Sequence, residues 1–178
     1  MYIVPNQMPN HLKTDYQPDD GQYAFISWKW VKPLAQWIGE RTCLEVMAGR
    51  GMLCFALRKL GIDIIATDDF SWNLKDTVTS VEPLDALSAV KRYGRNSDIL
   101  LMSWPPATDT AFYVLQAFCK ENPNGCVVYI GETLGGDMAT ELFFKHFQTI
   151  WNPFFDEVSK AYETRFGYYD KPMLGRFR

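Results

Sequence analysis

The stretch Cys43-Leu-Glu-Val-Met-Ala-Gly-Arg-Gly-Met-Leu-Cys54 decides the fold. An apolar run interrupted by Glu45 reads as a short buried strand, Thr42–Val46. Gly49 and Gly51 mark a turn. From Gly51 to Leu60 the apolar residues Leu53, Ala56, Leu57 and Leu60 recur at i, i+3, i+4 and i+7, one face of a helix. Arg58 and Lys59 suit its last turn, where the helix dipole favours cations, and Gly61 suits its stop. A strand–turn–helix unit of this kind gathers backbone N–H groups and a carboxylate at one mouth. Nucleotide-like cofactors bind at such mouths. Met47 stands where a glycine is expected.

Outward from this unit, strands and helices alternate. Residues 1–21, with Pro5, Pro9, Pro18 and Asp19-Asp20-Gly21, read as an irregular arm. The aromatic segment Tyr23–Trp30 reads either as a packed strap or as a lid, so residues 1–30 form the N-terminal arm of a single domain, 1–178. A helix is expected over Lys32–Ile38, with Pro33 in its first turn. Asp63–Ala66 reads as a second strand and Thr79–Val81 as a weak third. A helix over Ala86–Tyr93 ends at Gly94. Asp98–Met102 is a fourth strand. Ala111, Val114, Leu115 and Phe118 mark a helix capped by Thr108 or Asp109. Cys126–Ile130 is a fifth strand, and Asp137 is expected to cap a helix through His146. Phe154–Tyr162 and Met173–Arg178 read as two strands of an antiparallel hairpin. The alternation implies one Rossmann-like, doubly wound α/β sheet, mostly parallel, with helices on both faces.

Bulk properties narrow the function classes. Eighteen basic and 21 acidic residues leave a net charge of −3, which argues against broad electrostatic capture of nucleic acid or of an anionic membrane. No 18-residue apolar run exists, so no membrane span is expected, and the N-terminus lacks the pattern of a signal peptide. Cys43, Cys54, Cys119 and Cys126 form no CxxC pair and read as buried thiols of a reducing, cytoplasmic compartment. With only His11 and His146 as imidazole donors, no metal site is expected. No repeat or appended recognition domain is visible.

In a doubly wound sheet, ligands bind beyond the C-terminal ends of the strands. Each expected strand ends there in polar or special residues: Glu45 with the Gly49/Gly51 turn, Asp68-Asp69, Asp85-Ala86, Ser103-Trp104-Pro105-Pro106, and Gly131-Glu132. Asp68 lies 23 residues after Glu45, which puts both acids on one edge of a strand–helix–strand unit. A carboxylate at the end of the second strand can accept both hydroxyl protons of a ribose.

On these residues the chain resembles the class I S-adenosylmethionine-dependent methyltransferases over roughly residues 30–178. Glu-Val-Met-Ala-Gly-Arg-Gly is similar to their first motif, Thr67-Asp68 to their second, Asp85-Ala86 loosely to their third, and Ser-Trp-Pro-Pro to their fourth. The resemblance implies S-adenosylmethionine as cofactor and methyl transfer to an unidentified acceptor, a small molecule or a protein. It places Glu45, Met47, Ala48, Gly49 and Gly51 along the methionine portion, Asp68 at the ribose, and Asp85 and Ala86 at the adenine. Ser103, Trp104 and Glu132 fall at the transfer site.

The fourth motif departs from the amino-methylating pattern. Trp104 precedes Pro105-Pro106 where an amide or acid is usual, and Ala107 follows where an aromatic is usual, so methylation of a base nitrogen is not implied. Trp-Pro-Pro, together with Ile-Gly-Glu and Gly135-Gly136, is also similar to methyltransferase-like proteins of no established activity. Two rival readings follow: a non-catalytic binding or scaffold protein on the same fold, and an NAD-dependent oxidoreductase. The second lacks support in the turn, where Cys54 replaces the third glycine of Gly-x-Gly-x-x-Gly. Several residues carry a plain alternative: Asp85 as a helix cap, Trp104 as core, and Glu132 as a loop residue rather than a general base.

Overall fold

The computed structural model describes residues 24–73, 76–164 and 168–178. The arm expected over residues 1–21 lies outside them. Seven strands form one sheet in the order β3-β2-β1-β4-β5-β7-β6. They are β1 (Cys43–Val46), β2 (Ile64–Asp68), β3 (Glu82–Pro83), β4 (Ile99–Ser103), β5 (Cys126–Gly131), β6 (Phe147–Thr149) and β7 (Lys171–Phe177). The first five run parallel, and β7 runs antiparallel between β5 and β6. Strand order reverses between β1 and β4, which sets the ligand-binding crevice of such a sheet at their C-terminal ends.

The central strands read as unbroken apolar runs because both faces are covered. All four residues of β1 are buried. Cys43, Ile64, Ile99, Leu101, Val128 and Ile130 pack against helices α1 (Trp28–Ile38), α2 (Met52–Lys59) and α6 (Pro153–Ala161). Leu44, Val46, Leu100, Met102, Val127 and Tyr129 pack against α3 (Ala86–Tyr93), α4 (Thr110–Glu121) and α5 (Glu141–His146). Each fully buried Leu, Ile or Phe contributes about 1.5–3 kcal/mol relative to exposure, so the two layers hold the sheet more firmly than any polar contact does.

Several expected elements are corrected. Residues 154–161 are helical, not a strand, and Tyr162 is the C-cap: Asn152 caps α6 by accepting the N–H groups of Phe154 and Phe155, each at 3.0 Å, and Pro153 opens the first turn. The C-terminal antiparallel pair is therefore β6 with β7. The helix before β1 starts at Trp28, so Pro33 lies inside it and Ala24, Phe25 and Ile26 are buried ahead of it. The segment from residue 24 onward is a packed strap. The third strand is Glu82–Pro83, and Pro83 sits at the sheet edge, where its missing N–H costs no ladder bond. Thr140, not Asp137, precedes α5. Asp109 sits at the N-cap of α4 but makes no capping hydrogen bond.

No helix stands between β2 and β3 among the described residues. The connection instead folds back as an extended strap over the start of α2, with Val78 and Val81 packed on the α1/α2/α6 core. Among the described residues no helix is long and apolar enough to cross a membrane.

Candidate functional site

The turn after β1 is built from left-handed backbone. Met47 has φ 55°, Gly49 55° and Gly51 76°. Glycine enters this region freely, whereas a side chain costs about 1–2 kcal/mol there. Met47 bears that cost, and its side chain leaves the turn to pack on the α3/α4 face of the sheet. The Ala48 N–H donates to the Thr67 carbonyl at 3.0 Å, carrying the β1–β2 ladder one step past the strand.

Asp68 fastens this turn from the neighbouring strand. Its Oδ2 accepts the Gly49 N–H at 2.7 Å and its Oδ1 accepts the Phe70 N–H at 2.8 Å. Each carboxylate oxygen keeps a further lone pair for a hydroxyl donor. Glu45 lies deeper on the same face of the sheet, 2% exposed, with Oε2 unpartnered. Burial pushes its carboxyl up from 4.5 to about 8, against the lowering effect of the Cys54 amide and the Arg58 guanidinium; the Asp68 charge adds to the rise. Burial likewise pushes the Cys54 and Cys43 thiols up, so both are inert packing groups.

The strap closes over the turn. Val78 N–H donates to the Arg50 carbonyl at 2.9 Å, and Arg50 Nε donates to the Asp76 carbonyl at 2.8 Å. Arg58 joins strap to sheet: Nη1 reaches Thr79 Oγ1 and the Ser80 carbonyl, both at 2.8 Å, and Nη2 reaches the Ile64 carbonyl at 2.9 Å. Gly51 is required twice over, since a Cβ there would lie 2.6 Å from Val81 Cγ2 and 2.9 Å from Thr79 Cγ2.

Asp85 caps α3 by accepting the Ser88 N–H at 3.0 Å, and hydrogen bonds from Ser88 hold its carboxyl below the usual range. Ala86 is buried directly behind it. Ser103 ends β4. Trp104 follows with φ 53°, its N–H bonded to the Ile130 carbonyl at 2.7 Å. Its indole Nε1 donates to Asp170 Oδ2 at 2.9 Å, and Tyr168 stands edge-on at 5.0 Å between centroids.

Asp170 also accepts the hydroxyls of Tyr162 and Thr164 and is 5% exposed. Sequence reasoning missed it, because its partner Trp104 is 66 positions away and no local pattern joins them. Glu132 accepts the Asp137 N–H at 3.0 Å and the Tyr169 N–H at 3.2 Å, so it organises the loop after β5.

Thus Glu45, the 47–51 turn, Asp68, Asp85, Ser103 and Trp104 all lie on or beside the C-terminal ends of β1 to β4. His146 is remote, stacked on Phe177. Among the described residues no cluster of three or more His, Cys, Asp or Glu is placed to hold a metal ion. A cleft of about 400 Å³ between α1 and α6, lined by Trp37, Arg41 and Phe154, lies where the chain enters β1, at the end of that strand away from the turn.

No protein-family model matches the sequence, and comparison with curated proteins gave no significant match. Solved structures do match. Sp1610 of Streptococcus pneumoniae, a proposed tRNA (m1A22) methyltransferase, aligns over 86% of this chain and 71% of its own at 12% identity, with a TM-score of 0.53. Human N-acetylserotonin methyltransferase in complex with S-adenosylmethionine aligns over 84% of this chain and 50% of its own at 13% identity, TM-score 0.52. The 1,6-didemethyltoxoflavin-N1-methyltransferase of Burkholderia thailandensis, with bound 1,6-didemethyltoxoflavin and S-adenosylhomocysteine, aligns over 84% of this chain and 76% of its own at 15% identity, TM-score 0.51.

The fold is that of the class I S-adenosylmethionine-dependent methyltransferases. The chain spans half the length of the human methyltransferase. The residues that could hold a cofactor of the S-adenosylmethionine type are a buried carboxyl with an orphaned oxygen, a turn of left-handed backbone that follows its strand, and a second carboxylate with lone pairs to spare.

Proposed function

We propose that the protein is an S-adenosylmethionine-dependent methyltransferase. The observation that carries this reading is the orphaned Oε2 of Glu45, buried on the strand that runs into the turn fastened by Asp68. A buried carboxyl oxygen without a hydrogen-bond partner is costly unless a ligand completes it. The ammonium of a methionine tail is the natural complement: its positive charge favours release of the Glu45 proton to solvent and pairs with the resulting carboxylate. Asp68 accepts ribose hydroxyls, and the start of α3 at Asp85-Ala86 borders the adenine.

The cofactor supplies a methyl group already activated by its sulfonium. The protein's task is therefore to position an acceptor in line with the breaking bond. Ser103 and Trp104 border that position at the end of β4. Glu132 contributes by holding the loop that flanks it, with each carboxylate oxygen on a backbone amide.

Calorimetric titration with S-adenosylmethionine and S-adenosylhomocysteine tests the reading, with NAD as the competing ligand. Saturable binding of the first two is expected. Silence up to millimolar ligand, or saturation by NAD alone, would sink it.

A further inference from the structure

We infer that the protein forms a two-fold dimer in which the free edge of β6 pairs antiparallel with the same edge of a second copy. The inference is independent of the methyltransferase reading.

Strand β6 ends the sheet, and among the described residues no strand pairs with its outer side. Its inner side is used in alternation. The Ile150 N–H donates to the Leu174 carbonyl, and the Arg178 N–H donates to the His146 carbonyl, both at 2.8 Å. The backbone is still extended at Asn152, with φ −145° and ψ 121°. Alternation therefore turns the peptide groups of Phe147, Thr149 and Trp151 outward. The Phe147 N–H is already spent on the Phe143 carbonyl at the end of α5. The edge thus offers the Phe147 carbonyl and both groups of Thr149 and of Trp151. A two-fold axis at Thr149 matches this set to itself. Thr149 exchanges two bonds with its copy, and each Trp151 N–H meets the Phe147 carbonyl across the axis. The donor missing at Phe147 leaves only the Trp151 carbonyls over, for water to satisfy.

Charge selects a second copy as the occupant. Edge strands are commonly blunted by charged side chains. Residues 147–155 carry none, so this segment meets its copy without repulsion although the chain has a net charge of −3. Lys145 precedes the strand, is exposed, and makes no ion pair among the described residues. Asp156 and Glu157 follow the strand, in the first turns of α6. An antiparallel copy brings each Lys145 toward the acids of the other chain, so both ends of the pairing attract. Two bonds at Thr149 and one from each Trp151 make a small interface on their own. Trp151 and Phe154, beside the edge, are 81% and 75% exposed, and covering them on both copies supplies the apolar area. Strand β6 runs parallel to β5, because both are antiparallel to β7. The two sheets therefore run in opposite directions, and the two proposed cofactor rims open at opposite ends of the dimer.

Analytical ultracentrifugation of the full chain tests this. A monomer–dimer equilibrium is expected, dimeric at about 100 µM and dissociating on dilution. Hydrogen exchange at the Thr149 and Trp151 N–H groups is expected to slow by about ten-fold in the dimer. Thr149→Pro removes the donor at the axis and leaves the bonds to β7 in place, since proline is tolerated where an edge N–H faces outward. It is expected to be monomeric, with the circular dichroism of the wild-type chain. Trp151→Glu is expected to weaken association by about ten-fold or more. Lys145→Glu is expected to weaken it by about five-fold, most at low salt. A wild-type chain that stays monomeric at that concentration would overturn the inference. So would a dimer whose dissociation constant is unchanged in both Thr149→Pro and Trp151→Glu, which would place the contact on another face, or open-ended growth into larger species, which a closed two-fold forbids.

Discussion

The Gly49 N–H donates to Asp68 Oδ2 at 2.7 Å, so the acid ending β2 is fastened to the turn that follows β1. One carboxylate thereby shapes the turn and, in the proposed site, also lines it. The consequence is that loss of function at Asp68 has two causes that must be separated.

Asp68→Ala removes the acceptor of two backbone N–H groups, those of Gly49 and Phe70. Hydrogen bonds to a charged group contribute about 1.5–3 kcal/mol each, and partial exposure reduces this, so a loss of about 2–3 kcal/mol is expected. Asp68→Asn keeps one good acceptor and is expected to lose only about 1 kcal/mol. Both are expected to lose S-adenosylhomocysteine binding. Urea denaturation beside calorimetry checks this; an Asn variant that binds normally would remove Asp68 from the ribose.

Glu45 predicts an unusual pH dependence. Its folded-state carboxyl titrates near 8, above its ordinary 4.5. The folded state therefore holds a proton that the unfolded chain has released across that window. Its contribution to stability is complete below about 4.5 and is lost as pH rises toward about 8, at up to about 1.4 kcal/mol per pH unit for one proton. Glu45→Gln, neutral at every pH, should flatten that fall. Denaturation of both proteins at several pH values between 5 and 8 measures it, and parallel curves would refute the assignment.

Much of this architecture was legible in the sequence, for reasons visible in particular residues. Leu53, Ala56 and Leu57 are buried as their helical spacing requires, and β4 and β5 are continuous apolar runs because helices cover both their faces. The strand expected over Phe154–Tyr162 is helix α6. The better local signal was Asn152-Pro153, a capping side chain followed by proline at the first helical position. Strand β6 has three residues, too few for a period to show. The strap and the Asp170–Trp104 lock are tertiary facts: their partners are distant in sequence, and neither has a spacing that betrays it.

Arg58 is expected to control the strap. Its guanidinium bonds strap and sheet together through the Thr79 hydroxyl and the Ser80 and Ile64 carbonyls. Lysine cannot reproduce this fork. Arg58→Lys should cost about 1–3 kcal/mol and accelerate hydrogen exchange at the Val78 N–H, which bonds to Arg50. Unchanged exchange at Val78 would show that the strap is held by Val78 and Val81 packing alone.

Met47 allows a sharper contrast, because its backbone and its side chain pull in opposite directions. At φ 55° any side chain is strained, yet this one packs against the buried cluster on the α3/α4 face. Met47→Ala removes the packing and keeps the strain, so it should lose about 1–2 kcal/mol. Met47→Gly removes both. The relief of about 1–2 kcal/mol is offset by the greater freedom of glycine in the unfolded chain, about 0.5–1 kcal/mol. The glycine variant should therefore be the more stable of the two, the reverse of the order in an ordinary strand or helix. Because the Met47 side chain leaves the turn toward the α3/α4 face, S-adenosylhomocysteine affinity should change by less than about three-fold in Met47→Gly. Denaturation midpoints with Ala at or above Gly would show that the backbone here is not strained. A large gain in affinity for the Gly variant would show that the methionine obstructs the cofactor, and would make the substitution a brake on binding rather than a tolerated exchange.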